Sequence, residues 1–394
     1  MPSPPRTLAR VALFAALGLA ACEQVDQVRD RWRDLTPHEA YLASLSEAGL
    51  AETALGQDWI KASLTAVAGA PTIGLPFQEE GFIASDQAAA VAYRLHVGRG
   101  QRLRARIDVE SSEDTRVFVD LFRVPSDSAD ALRPVLAADT VPGTFQYEPW
   151  RGGDFILRIQ PELLRGGRYH VVLGLEAQLA FPVEGKDPGA ILSGWGADRD
   201  AGRRSHEGVD IFAARGTPVL AAADGVVGRV ELTHLGGKVV WLRDPVRNAN
   251  LYFAHLDSQA VRPGQRVQIG DTLGFVGNTG NARTTHPHLH FGIYRRGEGA
   301  VDPAPFLRTP PGNLPDMTAD LSSLGSWGSL RHDGIHLRAA PGLRSRVIRE
   351  LERDTTLRII GGSGAWYHVQ LPDGTRGFVL ARLFSRVERA ADTS

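Results

Sequence analysis

A two-residue hydrophobic period, cut into short lengths, limits the fold of this chain more than any other feature. Val91, Tyr93, Leu95 and Val97 alternate with polar or small residues. So do Leu103, Ala105, Ile107 and Val109, then Val117, Val119 and Leu121, then Phe155, Leu157 and Ile159, then Tyr169, Val171 and Leu173. Successive strand side chains point to opposite faces, so each run predicts a strand with one buried face. From about Ala70 to Gln178 this is the pattern of an all-β sandwich. Farther on, Val239, Val240, Trp241 and Leu242, then Leu251, Tyr252 and Phe253, then Leu289, Phe291, Ile293 and Tyr294 read as further strands. Turn signals such as Asp224-Gly225, Gly236-Gly237, Arg262-Pro263-Gly264 and Gly277-Asn278-Thr279-Gly280 separate them. Such spacing predicts a compact antiparallel domain.

That second group of strands carries histidines. Six of the chain's 12 fall between His206 and His290, and five of these lie in three signatures: His206-Glu207-Gly208-Val209-Asp210, Tyr252-Phe253-Ala254-His255-Leu256 and His286-Pro287-His288-Leu289-His290. Neutral imidazole and carboxylate are both good zinc ligands. A His and an Asp four apart are by themselves as readily a surface pair or a capped turn. His288 and His290 are stronger evidence, because alternate residues of a strand share one face. Of the remaining histidines, His286 reads as a rim or loop residue, His234 as a solvated turn residue and His170 as an alternating strand residue.

In order along the chain stand His206-x-Gly208-x-Asp210-Ile211, Ala221-Ala222-Ala223-Asp224-Gly225-Val226-Val227, Tyr252-x-x-His255-Leu256, Val261-x-Pro263-Gly264-x-x-Val267, Gly277-x-Thr279-Gly280 and His286-Pro287-His288-Leu289-His290-Phe291. These blocks resemble the LytM-type, lysostaphin-like zinc peptidases of the M23 family, over roughly Phe181 to Leu307. Gly194-Trp195-Gly196 followed by Arg199 is similar to the opening segment of that family. The resemblance implies that His206, Asp210 and His290 bind one Zn2+ per chain and that His255 and His288 form the catalytic pair. Three protein ligands would leave a fourth position for water, as catalytic zinc requires. A bound water can reach a pKa of about 7, and the two imidazoles can serve as proton acceptor and donor. Which histidine is the base stays open.

The amino terminus sets the expected compartment. Arg6 and Arg10 precede an apolar run from Val11 to Ala21, too short to span a bilayer but suited to a signal-peptide core. Leu19-Ala20-Ala21-Cys22 resembles a bacterial lipobox, and Cys22 is the only cysteine, which excludes disulfides within the chain. Lipidation at Cys22 is the expectation; ordinary signal cleavage after Ala21 is the alternative. Glu23 follows, not the Asp of an inner-membrane retention signal, so a periplasm-facing outer-membrane lipoprotein is expected. Firm anchoring would need two or more acyl chains.

Thr36-Pro37-His38-Glu39 has the form of a helix start with a capping box, and Tyr41, Leu42, Leu45, Leu55, Trp59, Ile60 and Leu64 predict two short amphipathic helices around Gly49. Gly153 to Arg158 and Gly166 to Tyr169 loosely resemble the closing strands of a pre-peptidase (PPC-like) jelly roll. Pro310-Pro311-Gly312 begins an expected linker. Beyond it, Ile335-His336-Leu337-Arg338, Trp366-Tyr367-His368-Val369 and Gly374-Thr375-Arg376-Gly377-Phe378-Val379 resemble a bacterial SH3-like (SH3b) domain. Trp366 and Tyr367 are its candidate wall-binding residues, with core packing as the alternative.

The expected fold is therefore mainly β and multidomain. A lipoprotein signal peptide is expected at 1–21, tether and short helices at 22–68, a β-sandwich at 69–178, an antiparallel peptidase domain at 181–309, a linker at 310–329, a small SH3-like barrel at 330–387 and a tail at 388–394. A formal net charge of −1 offers no basic field for nucleic acid. Arginine nearly replaces lysine, of which only Lys61, Lys186 and Lys238 occur. The expected function is zinc-dependent cleavage of peptidoglycan peptide cross-links. The expected partners are peptide stems, a membrane through the Cys22 anchor and envelope proteins. The alternatives are a LytM factor that activates a wall amidase without cutting, and a wall-binding scaffold.

Overall fold

The computed structural model describes residues 35–110, 115–127, 132–139, 143–199 and 203–386. The signal peptide, Cys22 and the tether lie outside the described residues. The chain is mainly β with few helices, as the alternation predicts. Two helices come first, α1 (Pro37–Glu47) and α2 (Ala54–Ala68). The capping box is complete: Glu39 N donates to the Thr36 side chain and Thr36 N to the Glu39 carboxylate. Between the helices the chain turns through Gly49, at φ +69°.

Eight strands make the sandwich: β1 (Phe77–Ile83), β2 (Val91–Val97), β3 (Gln101–Glu110), β4 (Val117–Arg123), β5 (Arg133–Ala138), β6 (Gly143–Tyr147), β7 (Gly153–Pro161) and β8 (Gly167–Ala177). One sheet has the order β1-β8-β3-β6 and the other β2-β7-β4-β5. The alternating residues Tyr93, Leu95, Val97, Leu103, Ala105 and Ile107 form the core between them. β4 is buried on both faces, because α1 and α2 cover its outer side. There Trp59 packs near Phe118 and donates from Nε1 to the Pro161 carbonyl at 2.9 Å. Arg158 and Asp120 pair beneath α2, where Ser63 accepts a second bond from Arg158. A paired, hydrogen-bonded charge tolerates such burial.

The histidine-rich region forms a separate sheet. Its strands are β9 (Ile191–Ser193), β10 (Val209–Phe212), β11 (Gly225–Thr233), β12 (Gly237–Asp244), β13 (Ala249–Leu256), β14 (Arg266–Val267) and β15 (His288–Arg295), in the order β14-β11-β12-β13-β15-β10-β9. Val209, Ile211, Leu251, Phe253, Leu289, Phe291 and Ile293 fill the core on one face. The residues between them line the other. A short helix, α3 (Ala304–Leu307), places Phe306 against this core, where Trp150 of the sandwich meets it with ring centroids 5.2 Å apart.

The last unit contains β16 (Trp327–Leu330), β17 (Ile335–Arg338), β18 (Val347–Leu351), β19 (Thr356–Ser363), β20 (Trp366–Gln370), β21 (Arg376–Leu380) and β22 (Phe384–Arg386). It departs from the sequence expectation at its start. Residues read as linker up to Ser329 include β16, which pairs with both β19 and β22. Ala319 of the same stretch is buried in the barrel core. The Pro-rich opening looked like spacer because its few apolar residues show no strand period. β19 also pairs with sandwich strand β1, Glu80 opposite Gly362 and Gly81 opposite Gly361, so one sheet runs through both units.

Candidate metal centre

Strand register brings the signatures together. Asp210 lies directly opposite His290 and Phe212 opposite His288 in the β10–β15 pairing. Cross-strand partners share a face, so Asp210, His288 and His290 project together away from the core. His206 precedes β10, and its backbone N–H donates to the Ala197 carbonyl at 2.9 Å while its carbonyl accepts from Gly196 N at 2.9 Å. Gly208 is required for steric reasons: a Cβ there would meet His290 Cε1 and the Phe291 carbonyl, each at 2.6 Å. The glycine of the first signature thus makes room for the histidine ring of the third.

His255 breaks the strand pattern. Ala254 pairs with His290, so a regular pleat would turn the next side chain to the core face. Instead His255 has φ +62°, and the β12–β13 register shifts there between Lys238 and Val240. The His255 ring consequently lies 5.0 Å from that of His288 and 5.9 Å from that of His290. A left-handed conformation at a non-glycine residue is strained and persists only where the surroundings impose it.

Three donor atoms converge. His206 Nε2 and His290 Nδ1 are 2.9 Å apart, and Asp210 Oδ1 is 3.0 Å from each. Tetrahedral zinc with ligands at usual distances would separate donors by roughly 3.3 Å. The donor set therefore fits zinc in chemistry and spacing. His206 Nδ1–H donates to the Gly194 carbonyl at 2.8 Å, which leaves Nε2 bare toward the cluster. Asp210 Oδ2 accepts from Arg199 Nη2 at 2.6 Å, and the same Arg199 nitrogen reaches Ser193 Oγ at 2.8 Å. Burial by itself would raise the Asp210 carboxyl, but the contacts with the His206 and His290 imidazoles outweigh it and hold the group well below the usual carboxylate range.

The other two histidines are oriented by backbone carbonyls. His255 Nδ1–H donates to Thr279 O at 2.9 Å and His288 Nδ1–H to His286 O at 2.8 Å, so both Nε2 atoms are bare. His288 Nε2 stands 4.0 Å from Asp210 Oδ1. Burial, then repulsion from His288 and His290, lowers His255 to about 4. It is neutral at neutral pH. The structure thus brings together all five residues singled out for this site. It does not do the same for Tyr367, which is 3% exposed and donates from its hydroxyl to the Asp320 carbonyl, so it is a barrel core residue. Trp366 beside it is half-buried.

The sequence reading missed two features. Arg199 stood out only as part of an opening segment, although it holds a cluster carboxylate. Tyr252, Trp241 and Tyr294 were read as strand formers, but they form an aromatic floor on the cluster's face. Trp241 and Tyr252 have centroids 4.4 Å apart, and Tyr252 meets His290 at 5.9 Å. The signal was present: Tyr252 and Tyr294 stand an even number of places from Ala254 and His290, and so share their face.

Comparison with known proteins agrees with this geometry. The profile of "Peptidase family M23" matches residues 204–303. That stretch of the chain is similar to the M23 peptidases. A bacterial SH3 domain matches residues 333–385. The L-Ala--D-Glu endopeptidase of Bacillus subtilis is 39% identical to this chain over 150 residues, which cover 35% of the chain and 45% of that relative. Peptidoglycan DD-endopeptidase ShyC of Vibrio cholerae is 40% identical over 91 residues, 22% of this chain and 20% of its own. The matched part therefore spans less than half the length of these curated relatives. Among solved structures, the catalytic domain of the antimicrobial peptidase lysostaphin from Staphylococcus simulans aligns at 32% identity over 29% of this chain and 88% of that one, with a TM-score of 0.27. The ligand candidates His206, Asp210 and His290 and the proton-transfer candidates His255 and His288 all lie inside residues 204–303.

Proposed function

We propose that the protein is a zinc-dependent endopeptidase that hydrolyses peptide cross-links of peptidoglycan in the cell envelope. The observation that supports this best is the converging donor set of His206, Asp210 and His290, flanked by two histidines whose bare nitrogens face the same space. When bound, zinc supplies a Lewis acid that polarises a carbonyl and lowers the pKa of a water. The chain's own residues supply the rest. Arg199 fixes the Asp210 carboxylate, and the Gly194 carbonyl fixes the His206 tautomer. His255, kept neutral by burial, is available at its bare Nε2 to take a proton from an attacking water and to pass that proton on to the leaving amine, and His288 lies across the site, where in its doubly protonated form it would donate to the developing oxyanion. Either imidazole can fill either role. The aromatic floor of Trp241, Tyr252 and Tyr294 offers a surface for an extended peptide beside the cluster.

Wall attachment belongs to the same proposal. The SH3b barrel would hold the enzyme on its polymer, raising local concentration, and acylated Cys22 would tether it to the outer membrane facing the periplasm. The decisive experiment measures zinc content and cleavage of purified cross-linked muropeptides for wild type, His290→Ala and His255→Ala. Stoichiometric zinc with cleavage is expected in wild type, loss of both in the first variant, and loss of cleavage with zinc retained in the second. A wild-type protein that binds zinc yet releases nothing, or that binds none, would overturn the enzyme reading in favour of a non-cutting activator of a wall amidase. Lipidation is read separately, as a mass increase at Cys22 that Cys22→Ala abolishes.

A further inference from the structure

A cavity of about 780 Å³ opens between the C-terminal end of α2, the β1–β2 connection and the barrel face made by β19, β20 and β21. That volume is typical of a small-ligand site. No residue of the metal centre lines it. Its charged groups have one sign: Arg346, Arg358 and Arg376 all line the wall with His368 and Gln370, and no Asp or Glu does. Much of the remaining lining is short and aliphatic, supplied by alanine, valine and isoleucine.

The side-chain hydrogen bonds of Arg358 and Arg376 go to neutral acceptors, although the buried Glu79 carboxylate attracts Arg376 from behind the wall. Arg376 donates from Nε to Gln370 Oε1 at 3.3 Å and from Nη1 to the Ala90 carbonyl at 3.2 Å. Arg358 donates to the Gly325 carbonyl at 3.3 Å and to Gln87 Oε1 at 3.4 Å. All four acceptors are neutral. The carboxylate behind this wall, Glu79, is fully buried, and its Oε1 accepts from Tyr93, Tyr169 and His368. It does not line the cavity. Burial lowers the Arg376 guanidinium below its ordinary value despite the opposing attraction of Tyr169 and Glu79, and a bound anion would offset the remaining cost. Planar guanidinium forks match carboxylates bidentately, so several converging on one space select a ligand with more than one acid group.

We propose that this cavity, shared by the sandwich and the SH3b barrel, binds a short acidic peptide through Arg346, Arg358 and Arg376. Binding there requires neither metal nor hydrolysis. The probe is the dipeptide alanyl-glutamate, whose methyl group suits the aliphatic lining and whose two carboxylates suit the arginines. Calorimetric titration of the full chain should show it binding, with alanyl-glutamine at least about 10-fold weaker. Arg376→Gln and Arg346→Gln should each weaken binding by about 10-fold, with zinc content unchanged. The Arg346 side chain is exposed and makes no hydrogen bond or ion pair among the described residues, and the one bond of the residue, from Ala339 N to its backbone carbonyl, survives a side-chain substitution, so Arg346→Gln serves as the folding-independent variant. No binding by wild type, equal binding of the two dipeptides, or full affinity in both variants would overturn the proposal. Inorganic phosphate that binds as tightly as alanyl-glutamate would overturn the carboxylate assignment.

Discussion

Single residues behind the ligand cluster set its quality. Arg199 touches Asp210 Oδ2 and leaves Oδ1 to the cluster, so it orients a ligand it does not resemble. On the zinc reading, Arg199→Met should lower metal affinity by about 10 to 100-fold, as loss of an outer-shell partner does, read as faster zinc release to a chelator. Unchanged release would show that Asp210 is held adequately by strand pairing alone. Gly208→Ala should act differently. Its methyl would press on the His290 ring and the Phe291 backbone, which cannot both yield. The expected cost is about 1 to 3 kcal/mol of stability, measured by denaturant unfolding, together with weaker zinc retention. The histidines and Asp210 were readable as candidates because their signatures resemble a known family in order and spacing, although only Asp210, His288 and His290 hold regular strand positions. Arg199 was not, because nothing local marks an arginine as the partner of a carboxylate eleven residues later across a hairpin.

At the scale of elements, the first helix rests on a buried imidazole. His38 stacks on Trp59 at 4.7 Å, and its Nε2 lies 2.8 Å from Gln160 Oε1. Burial, then the Arg158 guanidinium, lowers His38 from 6.5 to about 4. The unfolded chain therefore takes up this proton first as pH falls. The contribution is full above pH 6.5 and is lost as pH drops toward 4, a swing of about 3 kcal/mol at most. Urea unfolding at about pH 7 and about pH 4 should show that fall, and His38→Asn should flatten it; an equal fall in the variant would assign the acid sensitivity elsewhere. Thr36→Ala should cost about 1 kcal/mol at any pH in that range through loss of the cap. Both helices and their cap were legible, since Thr-Pro-x-Glu is a local signal. Their seat on the outer face of β4 was not, because that face carries Asp120 between Phe118 and Phe122, and a carboxylate in mid-strand marks a face as solvent-exposed unless its buried partner Arg158 is known.

The whole molecule is more unified than a chain of tethered modules. β1 belongs at once to the sandwich and, through Gly361 and Gly362, to the barrel sheet. That seam depends on bare backbone. A Cβ on Gly361 would lie 2.8 Å from Glu79 Oε1, and one on Gly81 would run into the Tyr169 ring. Gly361→Val should therefore loosen the barrel from the sandwich, seen as new proteolytic cleavage between residues 310 and 326; a cleavage pattern like wild type would mean the seam tolerates the added bulk. The sequence by itself determined the mainly β class and the two helices, because periods of two, capping residues and turn residues are local quantities, and its resemblance to a known family supplied the five candidate residues of the metal centre. Only the tertiary structure decided which strand edges meet, that supposed linker residues complete the barrel, that Tyr367 faces the core, and that three arginines from one unit face a wall of another. Those outcomes depend on backbone hydrogen bonding and desolvation between segments far apart in the chain, and no local pattern encodes them.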